Sequence, residues 1–162
     1  MKNPTQQDAV TGWIGIPGLL RQAIGGLSEG ELELRGEREG MSIRETVHHL
    51  AEANIVAASI MIAAIGKNGC TYDWSWLYPD RAWVGRMGYE TAPVEPALNI
   101  INALCTQIAN LVTVNPEILT REVHLFDAPG EEIYSMTVAD IMRQEIDHAA
   151  EHLSDIRKIR SL

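Results

Sequence analysis

The stretch Asp147-His148-Ala149-Ala150-Glu151-His152 lies in a segment whose pattern predicts a helix from about Thr137 to Arg160. His148 and His152 are four positions apart, so their side chains should share one helix face. Two imidazoles at this spacing can bind one metal ion, which needs a further ligand from elsewhere in the chain. The apolar residues of the segment recur at helical spacing and should face a core: Val138, Ile141, Met142, Ala149, Leu153 and Ile156.

The histidine pair lies at the edge of this apolar stripe. At about 100° per residue, Glu145, His148 and His152 fall along one border of the stripe. An imidazole at the border of a bundle interior is partly removed from water and needs a hydrogen-bonding group or a metal ion as its partner. This favours a functional role for the two histidines. The spacing of four positions does not by itself establish a metal site, because a chain with five histidines can contain such a pair by chance.

Length and composition predict one soluble domain over residues 1–162, with 46% hydrophobic residues. The formal net charge of −9 argues against nucleic acid, since a binder must neutralise phosphates with clustered Lys and Arg. No continuous apolar segment reaches the roughly 20 residues that a membrane-spanning helix needs, so we expect no membrane span. The N-terminus lacks the pattern of a signal peptide, so we expect a cytoplasmic protein.

Four long helical segments, separated by turn and loop signals, predict an all-α four-helix bundle. The second begins at a capping box, in which Ser42 and Glu45 satisfy each other's backbone N–H groups. In the first, Pro17 should end one helical piece or kink the helix within residues 15–18. The four segments run from about Gln7 to Gly26, from Ser42 to Ile65, from Pro93 to Asn115, and from Thr137 to Arg160.

The connections between the helices differ in character. Residues 28–31 should form a short turn. The connection from Lys67 to Ala92 is rich in aromatic residues, and its length favours a pocket or an interface, although the rings could simply cover a bundle edge. Residues 119–135 allow a small hairpin before the last helix, with a turn at 127–130.

The two cysteines do not indicate a disulfide framework or a zinc knuckle. Cys105 lies in a helical pattern and is expected in the core. Cys70 follows a loop signal, where an exposed thiol is expected, but no neighbouring histidine suggests that it is activated.

The third metal ligand is expected on the second helix, which carries two adjacent histidines. His48 shares the one polar face of that helix with Arg44, Glu45, Glu52 and Ser59, and should lie on the solvent side. His49 lies on an apolar strip with Ala53, Val56 and Ile60, so it is the ligand candidate. The predicted metal site is therefore His49, His148 and His152.

Three neutral imidazoles leave a divalent ion with open positions for water or substrate, as in a catalytic site. Such an ion would lower the pKa of a bound water or thiol and present it as a nucleophile. Glu145 could be a fourth ligand, a hydrogen-bond acceptor behind a ligand, a general base, or a partly exposed carboxylate with no such role. His124, in the predicted hairpin, is expected to be structural or exposed.

A di-iron carboxylate site is the competing scheme, because both Glu45/His48 and Glu145/His148 match Glu-x-x-His. That site also needs an inward Glu from each of the other two helices. The first helix has none in its body and the third has only Glu95, at its start. Glu45 is also engaged in the capping box, so the scheme fails.

The chain resembles the DinB/YfiT-like family of small four-helix metalloproteins. The resemblance rests on residues 42–52 (SIRETVHHLAE), on His148-x-x-x-His152, and on the turn at residues 27–32. It implies one ligand on the second helix and two on the last, holding zinc, nickel or a similar ion. It maps onto His49, His148 and His152, since the family's histidine precedes a Leu-Ala pair, as His49 does.

The resemblance also implies a homodimer and a small-molecule substrate, while net charge and hydropathy predict neither nucleic acid nor membrane as partner. Characterised members of the family resemble thiol S-transferases that use bacillithiol, mycothiol or glutathione, and many other members have no known activity. No motif in residues 67–92 matches such a thiol, and only Arg81 and Arg86 are candidates to contact it. We therefore expect a metal-dependent transferase or hydrolase, with a non-catalytic dimeric bundle, metal-stabilised or binding a ligand or partner, as the alternative.

Overall fold

The computed structural model describes residues 6–36, 40–77, 79–126 and 133–161. Four long helices carry the fold, as predicted, and two short ones lie in the connections. A 3-10 turn follows α5 at Pro116–Thr120. The helices are α1 (Gln6–Ile24), α2 (Glu29–Leu32), α3 (Ile43–Gly66), α4 (Arg81–Met87), α5 (Val94–Val114) and α6 (Val138–Arg160).

The four long helices enclose one apolar core. α1 packs against α5 and α6, and α3 packs against the same two helices, so α1 and α3 lie diagonally opposite each other. At the crossing of α1 and α6, a Cβ on Gly12 would come within 2.6 Å of Ile146 Cδ1, so glycine permits the close approach there. All six residues of the apolar stripe predicted on α6 are buried.

Capping boxes fix the starts of three helices. Ser42 and Glu45 form the predicted box at α3, with the Glu45 backbone N–H donating to Ser42 Oγ at 3.1 Å. Thr137 and Asp140 form another at α6. Because each box satisfies backbone N–H groups that helix geometry leaves free, α3 and α6 begin at defined residues. The positions of their histidines are thereby fixed along each axis.

α1 is continuous through Pro17, so the alternative in which a helical piece ends there is wrong, while a kink at this proline stays a prediction. Proline lacks the N–H that would bond the carbonyl of Trp13 one turn earlier. Trp13, Ile16 and Leu20 are all buried in the core. The burial of this face offsets the missing hydrogen bond, which periodicity alone could not reveal.

A three-stranded sheet, β1 (Cys70–Asp73), β2 (Glu122–Phe126) and β3 (Tyr134–Thr137), lies beside the bundle. β2 and β3 pair antiparallel, with Leu125 opposite Tyr134, and form the predicted hairpin. Its predicted turn at 127–130 lies outside the described residues. Because α6 starts directly after β3, the sheet helps to position the helix that carries two of the histidines.

The connection from Lys67 to Ala92 is more ordered than the predicted loop. It contains β1, which pairs parallel with β2 in the register Cys70 to Val123, and the helix α4. Cys70 is consequently half-buried in a strand rather than exposed in a loop. The partner strand is about fifty residues away, so the local pattern carries no signal of the pairing.

The expectation about apolar runs also needs correction. α3 and α5 are long and apolar enough to cross a membrane by length and composition. This is weak support for a membrane span, because buried core helices of soluble proteins meet the same criterion. Half of the relevant window of α3 is buried inside the bundle. The absence of a membrane partner therefore stays a prediction.

Candidate metal centre

The structure brings together the three predicted ligands, one from α3 and two from α6. His49 Nε2 and His152 Nε2 each lie 3.1 Å from His148 Nε2. The three rings meet edge to face, with centroids 4.8 to 5.1 Å apart. Their ligand atoms all lie within 4.8 Å of one another, so one point in space is within reach of all three.

Its surroundings keep the imidazole of His49 neutral, the form that binds a metal. Burial, and then the charges that His148 and His152 would carry, lower the pKa of His49 to about 3. A neutral imidazole has one nitrogen lone pair free to act as a ligand. His152 is buried and His148 half-buried, so bulk water reaches the cluster from one side.

The donor set fits a divalent transition metal. Zinc–nitrogen bonds are about 2.0–2.1 Å long, which places two nitrogens of a tetrahedral site about 3.3–3.4 Å apart. The two 3.1 Å separations are close to that spacing. Imidazole nitrogen suits zinc, nickel, copper and iron, whereas magnesium and calcium prefer oxygen. Three protein ligands are also the number that catalytic zinc sites use.

Glu145 lies behind the cluster on α6. Its Oε2 is 3.6 Å from His148 Nδ1, beyond ordinary hydrogen-bond distance but close enough for a direct electrostatic contact. The same oxygen is buried and has no hydrogen-bond partner among the described residues. A carboxylate here favours the tautomer with the proton on Nδ1, which makes the lone pair on Nε2 of His148 the metal-ligating one.

A cavity of about 530 Å³ opens beside the histidines. His49, His148 and Glu145 contribute to its wall, together with Asp147 and Glu151 near its polar side. The rest is mostly apolar and comes from α3, α6, the sheet and the connection after α3. These apolar residues are Ala53, Val56, Ala57, Ile60, Trp74, Leu77, Pro79, Leu125, Met136 and Ile141.

His48 lies apart from the cluster, as predicted, but the expectation that it faces solvent is wrong. It is 9% exposed, its ring stacks on Tyr89 with centroids 4.9 Å apart, and its Nε2 lies 3.1 Å from the Ala92 carbonyl oxygen. Burial lowers the pKa of His48, so the ring nitrogen donates to that oxygen as a neutral imidazole. The connection after α3 folds over this part of the helix and buries the His48 ring.

The rest of the polar face of α3 is buried for the same reason. Glu45 accepts from Arg35 at 2.6 Å and from Arg81 at 2.7 Å, in addition to its capping contacts. The Glu45 carboxylate is therefore engaged by two arginines and the helix cap and is not part of the metal-ligand cluster, which agrees with rejecting a di-iron site. Arg81 is engaged with Glu45 and Glu90. Among the described residues, neither Arg81 nor Arg86 lines the cavity at the histidines.

The remaining candidates have structural surroundings. Cys105 is buried, and burial, followed by the charge of Glu145, raises the pKa of its thiol to about 12. It is a core residue, as predicted. His124 lies on β2, where its Nδ1 is 2.7 Å from Ser135 Oγ.

The sequence pattern missed the part of the cavity wall that the sheet supplies. Leu125 and Met136 come from β2 and β3, and Trp74 directly follows β1. The concentration of aromatic residues after α3 was the one signal, since it favoured a pocket in that region. Strand pairing over long sequence separation determined which residues line it.

The fold and the cluster together define a class: four-helix bundles with three histidines converging at an open cavity. The solved structure of YfiT from Bacillus subtilis, described as "a probable metal-dependent hydrolase with an unusual four-helix bundle topology", has this fold. It matches with a TM-score of 0.81 at 16% identity, over 98% of this chain and 87% of YfiT. The predicted resemblance to the DinB/YfiT-like family is thus confirmed.

Two curated proteins are similar in sequence, and both are named "putative metal-dependent hydrolase". The protein from Geobacillus kaustophilus is 27% identical over 139 residues, which cover 76% of each chain. The protein from Bacillus licheniformis is 23% identical over 155 residues, covering 91% of this chain and 83% of its own length. No protein-family model matches the chain.

Proposed function

We propose that the protein is a metal-dependent hydrolase whose divalent ion is held by His49, His148 and His152. The observation that carries the proposal is the convergence of three imidazole nitrogens at the wall of a cavity large enough for a small molecule. The sequence relatives named as metal-dependent hydrolases support the reaction class. When bound, the ion would supply Lewis-acid activation of a water or of the substrate.

The cavity wall indicates the kind of substrate. Most of it is apolar, so a small molecule with an apolar body would bind with its polar, hydrolysable group toward the histidines. The charged groups that line it in the described part of the chain are acidic, namely Glu145, Asp147 and Glu151. A neutral or cationic substrate therefore fits better than an anionic one.

Glu145 has two roles in this proposal. Its carboxylate orients His148 through the contact between Oε2 and Nδ1, and the same carboxylate, at the cavity wall, is the group that would accept a proton from the attacking water. Both roles use the position of Glu145 one turn before His148 and at the edge of the cavity.

Thiol S-transfer stays a prediction that rests on the family resemblance. Bacillithiol, mycothiol and glutathione differ in charge, but an anionic thiol would meet the acidic side of this cavity. Zinc or nickel as the ion, the homodimer and the cytoplasmic location are likewise predictions, as is the alternative of a non-catalytic dimeric bundle.

The test is an assay of metal-free and zinc- or nickel-loaded protein against a panel of neutral chromogenic esters and amides, with thiol transfer as a parallel arm. We expect hydrolysis only in the loaded protein, with its loss in His152→Ala. His124→Ala is the matched control, because it removes a histidine that belongs neither to the cluster nor to the described cavity wall, and it should keep full activity. Equal rates in wild type and His152→Ala would contradict the proposal, and transfer without hydrolysis would favour the S-transferase.

A further inference from the structure

A second cavity lies on the His48 side of α3. Its volume is about 390 Å³, within the range of small-molecule sites. Residues from α3, α4 and α5 line it, together with Trp76 from the connection that covers this face. His49, His148 and His152 do not contribute to its described wall, so it is separate from the metal centre.

Glu52 gives this cavity a specific chemical character. The residue is only 9% exposed, and its Oε1 accepts a hydrogen bond from Trp83 Nε1 at 2.7 Å. Its Oε2 is buried and receives no hydrogen bond of ordinary distance and angle from any described residue, and the Tyr89 hydroxyl is the other polar group beside the carboxylate. Buried carboxylate oxygens in native proteins nearly always have a donor, so this oxygen is positioned to accept one from a ligand.

Aromatic rings surround the carboxylate. The rings of Trp76 and Trp83 lie with centroids 6.2 Å apart, and Tyr89 contributes to the same wall. The negative faces of aromatic rings attract cations. Trp76 is 57% exposed and Met87 49% exposed, so the rim of the cavity is open to solvent.

We propose that this cavity binds a small organic cation, a protonated alkylamine, whose N–H donates to Glu52 Oε2. The alkyl group would pack against the rings of Trp76, Trp83 and Tyr89. Within the described part of the chain no lysine or arginine lines the cavity, and the net charge of −9 favours a cationic ligand. An apolar partner surface fits less well, because it would cover the unpaired carboxylate oxygen without supplying a donor.

The experiment compares cyclohexylmethylamine with its neutral analogue cyclohexylmethanol by isothermal titration calorimetry in an amine-free buffer. We expect the amine to bind saturably and the alcohol to bind at least about tenfold more weakly, because a hydrogen bond to a charged group contributes that much. Metal-free and metal-loaded protein should give the same amine affinity. The outcome is thus independent of whether the protein is a hydrolase.

Two variants locate the site. Glu52→Gln keeps the shape and the acceptor for Trp83 but removes the charge, and should weaken amine binding at least about tenfold. Glu117→Gln, an exposed glutamate on the turn after α5, is the matched control and should bind as wild type does. Trp76→Ala should weaken binding of the amine, because it removes one of the surrounding rings. Its thermal unfolding curve should match that of wild type.

Three results would overturn the proposal: no amine binding to wild type, equal binding of the amine and the alcohol, or unchanged amine affinity in Glu52→Gln. If Glu52→Gln does not fold, the comparison of amine and alcohol on wild type and Trp76→Ala decides. Sedimentation of wild type as a dimer and of Trp76→Ala as a monomer, without amine binding, would assign the cavity to a second copy instead.

Discussion

His48 and His49 are adjacent in the chain, yet they belong to two different regions of the molecule. His49 faces α6, where it meets His148 and His152 beside the larger cavity. His48 faces the connection after α3, where it stacks on Tyr89 and bonds the Ala92 carbonyl. On a helix, adjacent residues point about 100° apart, so one step in sequence separates a cluster of converging nitrogens from a satisfied buried histidine.

The two regions also differ in how their polar groups are satisfied. On the His48 side, Glu45 is paired with Arg35 and Arg81 and closes a capping box. On the His49 side, Glu145 has an oxygen without a hydrogen-bond partner among the described residues. Fully satisfied networks stabilise a fold, whereas unsatisfied groups mark places that bind something, and on the His48 side the unsatisfied group is Glu52. Mutation of the Glu45 network should therefore change stability, and mutation of Glu145 should change metal affinity.

The largest expected effect is on stability. Glu45→Ala removes a carboxylate with no exposed surface, two ion pairs and a helix cap, and should lower the free energy of unfolding by about 2–3 kcal/mol. Urea unfolding followed by circular dichroism measures this in metal-free protein. Glu95→Ala is the matched control, because it removes an exposed carboxylate that pairs with Arg21 at the surface, and its cost should be much smaller. Equal losses in the two variants would show that the His48 side is no more stabilising than the surface.

The next effect concerns metal affinity. Glu145→Gln removes the charge that faces His148 Nδ1 and should weaken zinc binding by about 10–100-fold, as losing a partner behind a ligand usually does. Competition with a chromophoric chelator measures the affinity. Glu151→Gln changes an exposed carboxylate at the same cavity and should have little effect. Zinc affinity in Glu145→Gln equal to that of wild type would remove Glu145 from the site.

The smallest effect is a pH dependence on the His48 side. Burial alone would raise the pKa of Glu45, but hydrogen bonds from Arg35, Ser42 and Arg81 lower it overall. Its stabilisation is therefore fully present above the pKa that the group has when unfolded, and is lost as pH falls through the lower folded value. Between about pH 6 and pH 3, metal-free wild type should lose more unfolding free energy than Glu45→Gln does. Parallel losses would contradict this assignment.

Periodicity predicted the parts of the molecule that depend on local sequence. The apolar stripe of α6, the capping box at Ser42 and the separation of His49 from His48 all follow from helical spacing, and the structure agrees with each. What periodicity could not give is which surface another segment would cover. His48 and Glu45 were expected on a solvent-facing side, and residues from the connection after α3 bury them.

Long-range pairing explains the other differences. β1 pairs with β2 across about fifty residues, and this contact turns a predicted loop into part of the cavity wall. Pro17 was expected to end a helical piece or kink α1, but the buried face of Trp13, Ile16 and Leu20 keeps the helix continuous. In both places tertiary packing overrides a local preference.

Metal content of His49→Ala and His48→Ala, measured side by side, tests the assignment of the two regions most directly. After purification, loading with zinc and removal of excess ion, elemental analysis should find one zinc per chain in wild type and in His48→Ala. His49→Ala should retain little or none, because two imidazoles on α6 would remain. Equal zinc in the two variants, or loss from His48→Ala with retention in His49→Ala, would contradict the three-histidine site.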